Sequence, residues 1–125
     1  MDNILQIAKE YSEKHNFTYE VNSFKKFALW GENVEEESDN WKKFEKHPGV
    51  YILSNNEEIL YIGKSHTNTG ARLFQHFTNE EKMQKIDDNT NVSVLTFDEE
   101  ERSMVVALES YLIEKYNPIL NKTNY

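Results

Sequence analysis

Apolar residues recur along this chain with two different periods, and the change from one to the other divides it into elements. Ile4, Leu5, Ile7, Ala8 and Tyr11 fall three and four apart with charged residues between them. A turn of 3.6 residues gathers such positions on one face, so residues 3–14 are predicted to form an amphipathic helix. Residues 17–30 (FTYEVNSFKKFALW) are aromatic-rich and partly alternating, and read either as a strand or as a strand running into a short helix. Gly31 to Asn40 is acidic, lacks apolar periodicity and reads as a loop, after which Trp41 to Lys46 leads into a His47-Pro48-Gly49 turn.

Period two takes over next. GVYILS (49–54) and EILYIG (58–63) are β-branched and aromatic runs separated by Asn55-Asn56-Glu57, the pattern of a β-hairpin. With a three-residue turn at 55–57, residue 51 faces 61 and 53 faces 59. Tyr51 and Tyr61 then share one face, while Val50, Ile52, Leu60 and Ile62 share the other. Both faces are apolar, which predicts a sheet covered on both sides. Gly70 to Thr78 reads as a helix carrying Arg72, Leu73, Phe74, His76 and Phe77, and Asn91 to Phe97 as a third strand. Asp98 to Tyr116 is the longest predicted helix, with acids in its first turn where the helix dipole favours them. Pro118 ends it, and a tail with an ordered composition, Asn117 to Asn121, comes after it.

A chain of 125 residues suits one compact domain with an extension, and its 38% hydrophobic residues are enough to pack a core. The absence of Cys removes disulfides, thiolate catalysis and cysteine zinc sites, and suits a reducing cytosol. No apolar run is long enough to span a bilayer, and the amino terminus lacks the basic-then-apolar order of a signal peptide. The expectation is a cytoplasmic protein with no membrane partner. A net charge of −8 argues on its face against a polyanionic partner. Its distribution softens that objection, because no acid lies between Ile59 and Asn79, where Lys64, His66, Arg72 and His76 do. A cationic groove on an acidic body is compatible with this pattern, and so is scattered solvated charge.

Glu109 is the most informative single residue. Within Met104–Ile113 (MVVALESYLI) it is the only charged side chain, and Val105, Val106, Leu112 and Ile113 flank it at helical spacing. A carboxylate on the buried face of a helix is costly unless a cation, a metal or hydrogen bonds stabilise it. It therefore reads as half of a buried ion pair or as a metal ligand. Lys64 ends the second strand of the hairpin and Arg72 opens the next helix. A phosphate-handling site needs cations on rigid elements, and Arg matches phosphate oxygens in bidentate geometry, although a lone surface Lys is the commoner case. His76 lies one helical turn after Arg72, so both can reach one point.

Gly49-Val50-Tyr51, with Tyr61-Ile62-Gly63 ten residues on, resembles the paired signature of the GIY-YIG nuclease superfamily. The order of the residues beyond that pair carries the resemblance. Lys64 stands directly after YIG, Arg72 opens a helix with His76 a turn later, Glu109 lies inside a later helix, and Asn117-Pro-Ile-Leu-Asn121 closes the module. The resemblance extends over residues 47–122 and departs from the pattern in GVY for GIY and in a slightly long, polar stretch before Arg72. It implies an α+β fold, a small three-stranded antiparallel sheet flanked by helices, with residues 1–46 as an N-terminal extension and 47–125 as the nuclease domain. It also implies a metal-dependent endonuclease acting on nucleic acid, DNA rather than RNA, through one Mg²⁺ or Mn²⁺. By the same resemblance Glu109 holds the metal, Arg72 the scissile phosphate, and Tyr51 and Tyr61 lie at the attacking water, with Lys64 or the metal lowering a phenol's pKa. Lys64 and His76 join Arg72 in binding substrate, and Asn121 completes the site by hydrogen bonding. The alternative is a module that binds nucleic acid or a partner on the same scaffold without turnover. In the extension, Phe24, Lys25, Lys26, Phe27, Trp41, Lys42 and Lys43 interleave cations with aromatics, as nucleic-acid grooves do; packing against the sheet with the lysines outward is the blander reading.

Overall fold

The computed structural model describes residues 2–25, 44–56, 58–77, 86–87 and 89–123, without the side chains of 2, 74–77, 122 and 123. The expected loop at 31–40, the alternative short helix after residue 25 and residues 41–43 of the segment expected from Trp41 to Lys46 lie outside that set. Among the described residues the order is α1 (Asp2–His15), β1 (Glu20–Lys25), β2 (Gly49–Ser54), β3 (Ile59–Ser65), α2 (Thr69–Phe77), β4 (Asn91–Thr96) and α3 (Ser103–Tyr116). The strands form one antiparallel sheet in the order β1-β4-β2-β3. The sheet thus has four strands where three were expected. The extra one is β1, the alternating stretch of residues 17–30, which pairs along the whole of β4.

Both faces of this sheet are covered. On one, Val50, Ile52, Ile59, Ile62, Leu95 and Phe97 pack against Ile4 and Ala8 of α1 and Val105, Leu108 and Leu112 of α3. On the other, Tyr51, Leu53, Leu60, Tyr61, Val92 and Val94 pack with Phe44, Leu73, Ile86 and Leu120. The split comes from the pleat, since successive side chains point to opposite faces.

The hairpin register differs from the expected one by two residues: Tyr51 faces Gly63, and Leu53 faces Tyr61. A slip of two keeps every side chain on its face, so Tyr51 and Tyr61 still share one, as diagonal rather than direct neighbours. The loop is longer than three residues, Asn55 to Glu58. The Asn55 N–H donates to the Glu58 carbonyl at 3.0 Å, and the Glu58 N–H to Asn55 Oδ1 at 2.8 Å. Just beyond it Ser54 pairs with Ile59, leaving Leu60 as the extra residue of a β-bulge. The bulge moves Leu60 to the Tyr51 side and Ile59 to the other, reversing the placing of Leu60 inferred from strict alternation.

The third expected helix is divided. Glu99–Glu101 form a 3₁₀ turn, Arg102 comes next, and α3 proper begins at Ser103. At its other end Asn117 adopts a left-handed backbone (φ 48°) and donates to the Ile113 carbonyl at 2.7 Å, so the helix ends at Tyr116, two residues before Pro118.

Candidate active site

The two glycines of the paired signature are there because of what passes over them. A Cβ on Gly63 would collide with the Tyr51 ring, whose Cε2 would lie 2.7 Å away. A Cβ on Gly49 would meet the Leu95 carbonyl oxygen at 2.5 Å and Thr69 Oγ1 at 2.8 Å. Gly63 thus lets the Tyr51 ring lie across β3 toward Tyr61, with ring centroids 6.0 Å apart. Gly49 lets α2 start tight against the sheet, where the Thr69 hydroxyl and N–H both donate to the His47 carbonyl, at 2.8 and 3.0 Å.

The link from β3 to α2 is a run of local caps. Ser65 Oγ accepts from the N–H groups of Thr67 and Asn68, and Asn68 Oδ1 accepts from the Ala71 N–H at 2.9 Å. Asn68 is therefore the N-cap of α2, and Arg72 sits one turn further on. The Arg72 guanidinium reaches the Tyr51 hydroxyl, and its charge is felt at Tyr61 as well. His76 lies on the same helix, in its last turn.

Glu109 comes from α3 and Lys64 from β3. They meet in an ion pair, Lys64 Nζ to Glu109 Oε1 at 3.2 Å, with the carboxylate side chain only 13% exposed and the lysine 31%. Of the two readings open for a carboxylate at this position, the ion pair is present, and it is made inside the cluster rather than away from it. The negative charge of Glu109 also reaches both phenols. Arg72 supplies the cation that favours the phenolates; Lys64 is spent on Glu109.

Burial drives the tyrosines the other way. Tyr51 is fully buried, and desolvation, with Tyr61 beside it, pushes its phenol far above its ordinary value despite Arg72. Tyr61 is 8% exposed, and its phenol is also raised, by desolvation first, with Arg72 opposing. Both phenols are proton donors at neutral pH.

Asn121 stands on the outer edge of β3. Its side-chain amide donates to the Ile62 carbonyl at 2.8 Å and its Oδ1 accepts from the Ile62 N–H at 2.9 Å. It pairs with the strand as one more residue of sheet would. Tyr51, Tyr61, Arg72, Lys64 and Glu109 are thus brought together, while Asn121 closes the strand that carries two of them. The role of Gly63 in seating Tyr51 went unread in the sequence; the signal was the glycine itself, in a strand interior where it otherwise weakens pairing.

Comparison with known proteins places this arrangement. The model of the GIY-YIG catalytic domain matches residues 47–124. UvrABC system protein C of Thermosipho africanus is 34% identical over 76 residues, 59% of this chain and 13% of that protein. The same protein of Fervidobacterium nodosum is 33% identical over 87 residues, 66% of this chain and 15% of its own length. The chain thus corresponds to a small part of the curated relatives it matches. Among solved structures, the GIY-YIG N-terminal endonuclease domain of UvrC from Thermotoga maritima, bound to magnesium as its catalytic divalent cation, superposes with a TM-score of 0.51 at 28% identity. The match covers 71% of this chain and 99% of that one. A tyrosine-to-phenylalanine variant of that domain, also with its catalytic cation, matches equally well. The chain belongs to the GIY-YIG family. It carries a GIY-YIG endonuclease domain, homologous to the catalytic domain at the amino terminus of UvrC. No helix among the described residues is long and apolar enough to cross a membrane.

Proposed function

We propose that this domain is a cytoplasmic, metal-dependent endonuclease that hydrolyses phosphodiester bonds in DNA by in-line attack of water. The observation that carries the reading is the convergence of two buried phenols, the Arg72 guanidinium and the Lys64–Glu109 pair from four separate elements. A structural network would need only one cation per carboxylate. Here a second cation, Arg72, lies against the phenols.

The donor set agrees with magnesium. Among the described residues no three His, Asp or Glu side chains gather, as a zinc site would require. Mg²⁺ is commonly held by one or two carboxylates, with water and substrate phosphate completing the octahedron, and Mn²⁺ accepts the same oxygen donors. Glu109 would hold it, because Lys64 engages Oε1 and a carboxylate has about four lone-pair sites. When bound, the metal supplies Lewis-acid stabilisation of phosphate or leaving-group oxygen.

The protein's own groups account for the rest. Arg72 grips the scissile phosphate and stabilises the negative charge that grows on its oxygens in the transition state. Tyr51, held protonated by burial, donates a hydrogen bond and fixes the lie of Tyr61. Tyr61, the phenol nearer to solvent, orients the attacking water; as a phenolate, its own proton first given up to solvent beside Arg72, it takes the water's proton as the P–O bond forms. The bond to the 3′ oxygen breaks and that oxygen takes a proton from solvent, leaving a 3′-hydroxyl and a 5′-phosphate. Lys64 holds the Glu109 carboxylate in place, His76 extends the phosphate contacts of Arg72, and Asn121 holds the β3 edge against which Tyr61 and Lys64 are set.

Cleavage of labelled duplex, branched and single-stranded DNA in Mg²⁺, halted by EDTA, is the test. Glu109→Gln should abolish turnover with the fold intact. Arg72→Ala should lower kcat by roughly 10²–10³, the usual effect of removing one transition-state donor, and His76→Ala should cost less. An inert binding module, for which the net charge of −8 speaks, gives the opposite pattern. Wild type then cuts nothing with either metal, and Glu109→Gln leaves binding unchanged.

A further inference from the structure

Beside the site lies a cleft of about 410 Å³ lined by Lys46, Pro48, His66, Thr67, Asn68, Glu99 and Arg102. Three of its residues directly flank elements that also supply the site. On β3 and its exit, His66 lies two residues after Lys64, at most ~7 Å along an extended chain. On α2, Arg72 lies four residues after the cap Asn68, and its N–H donates to the Asn68 carbonyl at 3.2 Å, so they are about 6 Å apart along the helix. On α3, Glu109 lies seven residues after Arg102, two turns on and on the same stripe, about 10.5 Å away. The cleft therefore flanks the site on its Gly49 side, one or two helical turns away.

Its chemistry is unusual for this molecule. On a chain of net charge −8, the cleft gathers Lys46 and Arg102, the imidazole of His66, and the hydroxyl and amide of Thr67 and Asn68. Its one acid, Glu99, is within 4.0 Å of Arg102, and both are well exposed, so the pair is loose and readily exchanged for a stronger anion. Duplex DNA carries a phosphate on each strand at every ~3.4 Å of axis, so a strand whose scissile phosphate meets Arg72 brings neighbouring phosphates toward a cleft one or two helical turns away.

We propose that this cleft is a secondary phosphate-binding subsite in which Lys46 and Arg102 hold the nucleic-acid backbone flanking the cleaved bond. The inference rests on the nuclease reading for its substrate, and it explains how an acidic protein keeps a polyanion in register: two cations at a fixed offset from Arg72 orient the strand before chemistry. It assigns no part in the bond-breaking step to the cleft.

The test uses the full chain and a fluorescein-labelled 20-base-pair DNA duplex, with binding followed by anisotropy across a salt series in EDTA, where nothing is cut. Lys46 has a left-handed backbone (φ 64°), so Lys46→Asn removes the charge in a residue type that tolerates that conformation. With Arg102→Gln, the double variant should reduce the slope of log K against log[salt] by about 1.8, since each phosphate contact contributes about 0.9. Kd near 0.1 M salt should rise by at least roughly tenfold on the same grounds. Where wild type cuts the duplex, the double variant should raise KM with kcat at saturation unchanged. Glu99→Gln, which removes the cleft's only acid, should tighten binding. An unchanged slope in the double variant, or a wild type that binds no duplex at low salt, overturns the subsite. A wild type that binds with the expected slopes yet cuts nothing overturns the nuclease reading and leaves the subsite standing.

Discussion

The ring of Tyr51 has room only because the residue facing it across the hairpin has no side chain. Gly63→Ala would drive a methyl into that ring, and overpacking of this kind costs about 1–3 kcal/mol. If the ring is the cause, the cost belongs to the pair. In a double-mutant cycle with Tyr51→Ala the two penalties should fall short of additivity by at least 0.5–1 kcal/mol, roughly the lower range for residues in contact. Additive penalties, measured by urea unfolding, would place the strain elsewhere. The same buried phenol sets a pH dependence. Its folded pKa stands above the unfolded value near 10, so its contribution to stability is full below about pH 10 and is lost as pH climbs toward the folded value. The loss per such group approaches about 1.4 kcal/mol per pH unit. Tyr51→Phe has no proton to lose, while Tyr61 and Tyr19, also raised, titrate in both proteins. Between pH 9 and pH 11 the stability difference should therefore move by about 1 kcal/mol in favour of the Phe variant. Parallel curves would remove Tyr51 from the alkaline transition.

Among the elements, β3 is the edge strand that carries the site, and an edge strand is held from one side only. Asn121 supplies the missing side with two hydrogen bonds to the Ile62 peptide. Asn121→Ala should cost about 1–3 kcal/mol, the range for leaving buried backbone groups unpaired. The Ile62 amide should also lose hydrogen-exchange protection well before those of β2; equal protection in both strands would assign Asn121 another duty. Such a contact is not legible in a sequence. The closing asparagine is recognisable by its spacing, but the strand it meets lies 59 residues away. What could be read was whatever repeats locally. Alternation gave β2, β3 and β4 nearly to their ends, and the two-sided cover came from both faces being apolar. The register was missed because Leu60 is a bulge residue and apolar on either face, so nothing in the pattern marks it as extra. Glu109 was legible as a charge among apolar neighbours, whereas its partner was not, since Lys64 is read in sequence as an ordinary strand-end lysine.

At the scale of the molecule, α1 and β1 are not appendages to the sheet. β1 completes it, α1 lies on the face that α3 covers, and Phe17 between them is buried against Phe97 and Tyr19, with centroids 5.6 and 6.2 Å away. Tyr11 stacks on Tyr111 of α3 at 4.4 Å, and the Thr18 N–H donates to Glu101 at the approach to that helix, at 2.8 Å. These contacts grip the element that carries Glu109, though the residues that make them from the amino-terminal side, Tyr11, Phe17 and Thr18, lie outside the stretch that matches the family. Truncating Phe17 should therefore act on the whole. Phe17→Ala should lower global stability by about 3–5 kcal/mol, the usual cost for a buried Phe. Far-UV circular dichroism, which tracks the helices, and hydrogen exchange of the Tyr61 and Ile62 amides, which tracks the site strand, should still report one coincident transition, as in a two-state domain. At temperatures where the variant remains folded, kcat should be close to wild type, because no group at the scissile phosphate has changed. If α1 and β1 were a separable unit, the variant would instead show two transitions. The site strand's amide protection would then be lost at the wild-type temperature while part of the helical signal was lost earlier.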